Sequence, residues 1–386
     1  MAALPFTFVD TQRGWDEAAT RMARESRFAM DMEANGFFHY DDTVSLIQIA
    51  IPGAVFLVDP LAVKDLSKLG ALMADPKVQK VLHGCDYDLR SFDKQYGYHF
   101  AGLYDTAIAT QLLNAELMGL GRALLTYLNV KVDKPVKLQR SDWSRRPIPP
   151  GALEYAAGDA AHLLPLREAL DAKLASLGRT ECMGEECALM ERIRFEPGPP
   201  PEEAFATAKG TFDLEPPELA IYRELYLLRE RSAKQLDRPP FKVLSNEALL
   251  ALSRDPDQPF ETVPNANRRW LFDIERELRA AIDRGRKAPP IAHPSKGKRT
   301  RSPWYDEARA RWRTLNDLRQ QEAVKLGISA STVWPTRSLE NMVLYPELHD
   351  QEMTGTSQFG VRRWQRGVFG PVLEQAWGSL SITPSP

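Results

Sequence analysis

The chain has 386 residues, 43% hydrophobic and 26% charged, which is ordinary globular composition and long enough for two or three domains. Its net charge of −2 excludes a global basic field, so any nucleic-acid-binding surface must be local. Three cysteines without C-x-x-C spacing exclude a disulfide framework or a zinc-finger pattern and fit a reducing cytosol. The first residues lack a secretory pattern, and no apolar run reaches membrane-spanning length, so the expected compartment is the cytoplasm and no membrane partner is expected.

Phe6–Asp10 reads as a strand. Asp10 or Thr11 can cap the next helix, whose apolar positions include Trp15, Ala18, Ala19 and Met22. The run Phe28-Ala-Met-Asp31-Met-Glu33 ends in two carboxylates one residue apart. On a strand these share a face. Carboxylates held so close repel each other unless a cation sits between them, and hard oxygen ligands suit Mg²⁺ or Mn²⁺. Taken alone, the simpler reading is two solvent-facing acids at a strand end.

Val44–Ala50 and Ala54–Asp59 are β-rich runs separated by Pro52-Gly53, which makes the first half an α/β domain. The short strand Val78–Leu82 leads into His83-Gly-Cys-Asp86-Tyr-Asp88, a turn and a helix start. Acids there serve the helix dipole on the plainest reading. Leu103–Thr106 is expected to open an amphipathic helix with Ile108, Leu112 and Leu113 on its apolar side. Gly119-Leu-Gly121 lacks a third glycine and a preceding strand, so it is a helix-start turn and not a dinucleotide loop.

From Lys131 to Arg146 the chain is locally basic, with Lys131, Lys134, Lys137, Arg140, Arg145 and Arg146 around Trp143. Two readings stand. Lys137, Arg140, Trp143, Arg145 and Arg146 hold phosphates and stack a base, or the stretch is a solvated loop with a buried tryptophan anchor. Pro149 and Pro150 then open a helix on which Tyr155 and Asp159 share one face at four-residue spacing. Gly158 with Ala156, Ala157 and Ala160 allows this helix to approach a sheet closely.

Asp31-x-Glu33 on a strand, His83-x4-Asp88 at a helix start and Tyr155-x3-Asp159 on a helix occur in that order over roughly residues 1–190. This set resembles the DEDD exonuclease superfamily in its tyrosine-bearing branch. Ser141-Asp-Trp-Ser-Arg-Arg-Pro147 and Tyr155-Ala-Ala-x-Asp159 look specifically like ribonuclease D. Gly158 departs modestly from the surroundings usual in that family. The resemblance implies a ribonuclease H-like fold and two divalent ions, Mg²⁺ or Mn²⁺, about 4 Å apart. It implies that Asp31 bridges both ions, that Glu33 and Asp159 hold the one activating water, and that Asp88 supports the second. It implies that Tyr155 orients or deprotonates the attacking water.

Arg194-Phe-Glu-Pro-Gly-Pro-Pro-Pro reads as a stiff linker. Beyond it the pattern is helical and repeats weakly at an offset of 90 positions. Leu225, Arg229, Ala233, Val243 and Leu249 align with Leu315, Arg319, Ala323, Val333 and Leu339, and downstream, outside that register, Arg268-Arg269-Trp270 is echoed by Arg362-Arg363-Trp364. The first copy resembles the helicase-and-ribonuclease-D C-terminal (HRDC) domain, and the second is more diverged. The strip Arg284, Arg286, Lys287, Lys296, Lys298, Arg299 and Arg301 suits phosphates or is a solvated linker. The expected plan is therefore an α/β exonuclease domain over 1–194, a linker over 195–213, an all-α HRDC domain over 214–285, a basic linker over 286–302 and a second HRDC-like domain over 303–380. The implied activity is metal-dependent 3′→5′ trimming of structured RNA such as tRNA precursors. A DNA exonuclease with the same site and a non-catalytic RNA-binding adaptor are the alternatives.

Overall fold

The computed structural model describes residues 5–114, 116, 119–132, 136–266, 268–293, 305–356 and 360–379. Lys134, Lys296, Lys298, Arg299 and Arg301 of the basic strips lie outside these, as do the side chains of Lys137, Arg268 and Arg269. Among the described residues no helix is long and apolar enough to cross a membrane. The chain divides into two compact units. One takes residues 1–33, 44–195 and 300–386, and the other takes 34–43 and 196–299.

The first unit is built on six strands: β1 (Thr7–Val9), β2 (Arg27–Ala34), β3 (Val44–Ile51), β4 (Ala54–Val58), β5 (Gln79–Leu82) and β6 (Leu103–Asp105). Their order in the sheet is β1-β4-β3-β2-β5-β6. β3 and β4 form an antiparallel pair, while β1 runs parallel to β4, β2 to β5 and β5 to β6. Every residue of β3 is buried, as expected of an inner strand covered on both faces. Helices α1 (Gln12–Met22), α2 (Ser67–Ala74), α3 (Asp86–Tyr96), α4 (Thr106–Gln111), α5 (Leu120–Leu128), α6 (Val136–Gln139), α7 (Pro150–Ala161), α8 (Leu163–Ser176) and α9 (Thr180–Met190) complete the α/β part. The α7 helix lies on β3 and β4 and α8 on β5.

Two local expectations are corrected. Leu103–Asp105 is strand and not helix start: all three residues are buried and pair in parallel with Lys80–Leu82, a tertiary pairing that no three-residue pattern can announce. Gly158 is not part of the close packing, because a β-carbon there would meet nothing within 4 Å. The contact is made by Ala156, Ala157 and Ala160, all fully buried.

The first unit also contains α16 (Tyr305–Leu326), α17 (Ala330–Val333), α18 (Thr336–Leu344), α19 (His349–Thr354) and α20 (Arg363–Ser379), numbered after the helices of the second unit. The second unit holds α10 (Pro201–Ala204), α11 (Pro216–Gln235), α12 (Pro240–Val243), α13 (Asn246–Arg254), α14 (Arg268–Asp273) and α15 (Glu275–Lys287), with the 34–43 loop. Its core is Leu219, Tyr222, Leu225, Leu249, Leu252 and Leu278 with their neighbours. Gly285 lets α15 close onto α11, where a β-carbon would lie 2.5 Å from the Ile221 α-carbon. The α12–α13 pair recurs as α17–α18 ninety positions on. Val243 and Leu249 are buried in one, Val333 and Leu339 in the other.

Candidate active site

β2 delivers the first two acids. Met30 and Met32 are buried while Asp31 and Glu33 are half-buried, so strand alternation sets both carboxylates on one face. Pairing with β5 ends at Ala29↔Val81. The two acids therefore stand beyond the segment paired with β5, toward the carboxyl ends of these parallel strands, where open α/β sheets place their ligands. Asp31 Oδ1 also accepts from the Met32 N–H at 2.9 Å.

The turn after β5 delivers the third. Gly84 adopts φ +70°, a left-handed conformation natural to glycine. Asp105, at the end of β6, locks this turn. Its carboxylate accepts from the N–H groups of Gly84 and Cys85 at 2.9 Å and from that of Ala107 at 2.8 Å, at the start of α4. His83 Nδ1 contacts the Thr106 hydroxyl at 2.9 Å, and that hydroxyl donates to Leu82 O. The turn so fixed sets Asp88 in the first turn of α3, where it is buried. Burial, then the charge of Asp31, pushes the Asp88 carboxyl well above the usual carboxylate range. Asp86 points elsewhere, into an exposed ion pair with Arg90 at 2.9 Å. In the sequence Asp105 shows only as part of a helix opening. An Asp-Thr pair before an apolar run is a cap signal, but its reach back to Gly84 and Cys85 has no sequence signature.

α7 delivers the last pair. The Tyr155 hydroxyl donates to the Asp159 carboxylate and accepts from Gln139. Burial first, then the charges of Asp159 and Glu33, raise the Tyr155 phenol far above its ordinary value. Asp159 is buried, and Tyr155 is partly buried. One face of the Tyr155 ring neighbours Trp143, with centroids 6.2 Å apart at 30°.

Of the residues read as nucleic-acid contacts, Trp143 and Arg146 take structural places. Trp143 is 1% exposed, in a cluster with Leu46, Leu57, Ile148, Ala152 and Ala156, so the buried-anchor reading holds and its ring offers no face to a base. Arg146 is two-pronged on Asp59, at 2.6 and 2.7 Å, and donates to Trp143 O and Ser45 O. Arg140 and Arg145 are exposed.

Among the described residues no group of three or more His, Cys, Asp or Glu side chains is drawn together as a ready metal cluster. Two observations nonetheless fit a divalent cation. Asp88 Oδ1 is fully buried without a hydrogen-bond partner, and the nearby Asp31 charge opposes its ionisation. A buried carboxylate oxygen lacking a donor, facing a second carboxylate, is the donor set that a hard cation relieves.

Residues 6–175 match the family described as 3′-5′ exonuclease, and residues 218–258 match the HRDC domain. Ribonuclease D of Pseudomonas paraeruginosa is 33% identical over 244 residues, covering 62% of this chain and 64% of that protein. Ribonuclease D of Haemophilus influenzae is 31% identical over 241 residues, covering 62% and 60%. The chain thus spans less than two thirds of the length of these relatives. The crystal structure of Escherichia coli RNase D superposes with a TM-score of 0.69 over 97% of this chain and 99% of that one, at 22% identity, which establishes a shared fold. The chain thus carries a segment that matches the 3′-5′ exonuclease family followed by one that matches the HRDC domain, and over 62% of its length it is similar to ribonuclease D.

Proposed function

We propose that the chain is a cytoplasmic, metal-dependent 3′→5′ exoribonuclease of ribonuclease D type, trimming the 3′ ends of structured RNA such as tRNA precursors. The observation that carries this reading is the partnerless Asp88 oxygen beside Asp31, with the Tyr155–Asp159 pair adjoining Glu33. Divalent cations are general to exonucleases of this fold, and here Asp31, Glu33, Asp88 and Asp159 are the residues to hold two of them, Mg²⁺ or Mn²⁺. Bound there, they supply positive charge to the phosphate oxygens and to the water nucleophile.

The chain's own groups do the positioning. Tyr155 holds the attacking water through its hydroxyl, and Asp159 fixes that hydroxyl by accepting its proton in a hydrogen bond. Trp143 keeps the phenol ring from rotating away. Asp105 holds the turn that presents Asp88. The water oxygen attacks the terminal phosphorus and gives up a proton to solvent, the bond from phosphorus to the 3′-oxygen breaks, and the 3′-oxygen takes up a proton from solvent. The products are a nucleoside 5′-monophosphate and an RNA shorter by one residue. Arg140 and Arg145, exposed on the basic stretch, are assigned to phosphate contacts.

The test is a 5′-labelled single-stranded RNA and its DNA twin, each with and without Mn²⁺. Stepwise shortening of the RNA from its 3′ end, only with metal, is expected. Absence of shortening with every divalent metal tried overturns the reading, and equal shortening of both strands changes it to a general 3′→5′ exonuclease.

A further inference from the structure

The second unit exposes two large aromatic rings where a packed domain would bury them. Phe37 is 48% exposed and Phe241 50% exposed, and their centroids are 5.4 Å apart at 49°. The Lys242 ammonium sits 4.2 Å from the centroid of Phe37 and 4.1 Å from that of Phe38. These rings are not loose. The 34–43 loop is closed on itself by Thr43 N–H donating to Asn35 Oδ1 at 2.8 Å. It is pinned to the end of α11 by Asp237, which contacts His39 Nδ1 at 2.7 Å and accepts from Tyr40 N–H at 3.2 Å. Tyr40 also donates to Glu230 at 3.4 Å. Asp237 takes a left-handed φ of +47° to do this, a conformation that costs a non-glycine residue energy. Gly36 is required as well, because a β-carbon there would lie 2.5 Å from the Asp42 carboxylate.

Strain and anchoring are thus spent on holding two rings in the open beside a cation. We propose that Phe37 and Phe241, flanked by Lys242, form a stacking platform for an unpaired base of the RNA strand, an inference that rests on RNA being the substrate. Every base has a π-face, so such a platform binds single strands without regard to sequence, as a nuclease that removes one residue after another requires. The ammonium supplies charge for the phosphate next to the stacked base.

The experiment measures equilibrium binding of the full chain to a fluorescein-labelled 12-nucleotide oligoadenylate by anisotropy, in EDTA so that no cleavage occurs. A 12-residue abasic ribose-phosphate chain is the control. Phe37→Ala and Phe241→Ala are each expected to weaken oligoadenylate binding about tenfold, with circular dichroism unchanged. Phe241→Tyr should bind like the parent, and no variant of the rings should differ on the abasic chain. Lys242→Gln should flatten the salt dependence on both ligands by roughly 0.7 in log–log slope. Should either alanine variant be misfolded, Phe→Leu at the same position replaces it, keeping the apolar bulk and removing the π-face. Binding that is indifferent to the rings, or lost equally on the abasic chain, overturns the platform and leaves the patch to a protein partner. So does a parent protein that binds no RNA. Ring-dependent binding by a protein that never shortens RNA with Mn²⁺ overturns the exonuclease reading and leaves the platform standing.

Discussion

Arg146 closes a two-pronged ion pair on Asp59, at 2.6 and 2.7 Å, and from the same guanidinium donates to the Trp143 carbonyl. Trp143 in turn packs beside Tyr155. A residue of the basic stretch is thereby a strut between the sheet and the candidate active-site tyrosine. Asp59 is 4% exposed at its side chain, so removing the cation strands a buried charge. Arg146→Ala is expected to cost about 3 kcal/mol in urea unfolding and to lower kcat by displacing Tyr155. Burial alone raises the Asp59 carboxyl, but the Arg146 hydrogen bonds, the Leu61 N–H and the Arg146 charge more than reverse this and hold it below its usual range. A depressed carboxyl contributes stability above its unfolded pKa, near 3.9, and loses it as pH falls through the folded value. The variant should therefore have lost that acid-dependent term already. A variant whose stability between pH 2 and 5 parallels the parent's would break this link.

Asp88 and Asp86 lie in the same helical turn but predict opposite behaviour. Asp86→Asn loses only an exposed pair with Arg90, a change within about 0.5 kcal/mol, and should leave turnover intact. Asp88→Asn should lower kcat by roughly 10² to 10³, and Asp31→Asn likewise. The stability readout is the sharper one. The Asp88 carboxyl is raised in the folded chain, so in metal-free protein its ionised form is penalised at neutral pH and the penalty fades as pH falls. Asp88→Asn should therefore raise Tm in EDTA at pH 7 while abolishing any Tm gain on adding Mn²⁺. Equal turnover by the Asp86 and Asp88 variants would assign the third acid wrongly.

Sequence periodicity goes far in this chain where the causes are local. Asp31 and Glu33 share a face because strand alternation acts over two residues, and Tyr155 meets Asp159 because a helical turn acts over four. The repeat between Val243–Leu249 and Val333–Leu339 is legible because buried positions must stay apolar. What the pattern cannot carry is partnership at a distance. Arg146 finds Asp59 87 residues away, and nothing around either residue announces it. A cation beside a tryptophan reads equally as a phosphate clamp or as a buried strut, and only the 1% exposure of Trp143 decides. The three residues of β6 are too few to show a period, and the grouping of the 34–43 loop with residues 196–299 depends on Asp237, Glu230 and Phe241, none of them near it in the chain.

Tyr155→Phe keeps the ring against Trp143 and deletes only the hydroxyl that meets Asp159. The expected result is a fall in kcat of about 10² or more with KM unchanged, the mark of a contact that matters mainly in the transition state. Trp143→Ala should combine a core loss of about 3–5 kcal/mol with a comparable fall in kcat, whereas Trp143→Phe should recover most of both. A rise in KM at constant kcat for Tyr155→Phe would make the tyrosine a substrate contact.

The C-terminal helices are tied to the α/β part of the first unit through α9. Glu186 on α9 is 11% exposed at its side chain. Its Oε2 accepts from Arg362 Nε at 2.9 Å and its Oε1 from Trp364 Nε1 at 3.0 Å. Glu185 accepts from Arg363 Nε at 3.2 Å, and Arg179 donates to the Leu326 carbonyl at 2.6 Å. These contacts join segments up to 178 residues apart. A fragment ending near Ala206, at the proline-rich stretch that reads as an independent boundary, would strip all of them from α9 at once. Arg362→Ala alone leaves Glu186 nearly buried with only the indole N–H, so a loss of about 3 kcal/mol is expected, with faster hydrogen exchange in α20. Glu186→Gln combined with Arg362→Met should cost less than either single change, because no charge is then left unpaired. The fragment should melt well below the full chain. If it melts with the full chain and Arg362→Ala is neutral, the C-terminal helices are a passive appendage and the α9 contacts contribute nothing to the stability of the α/β part.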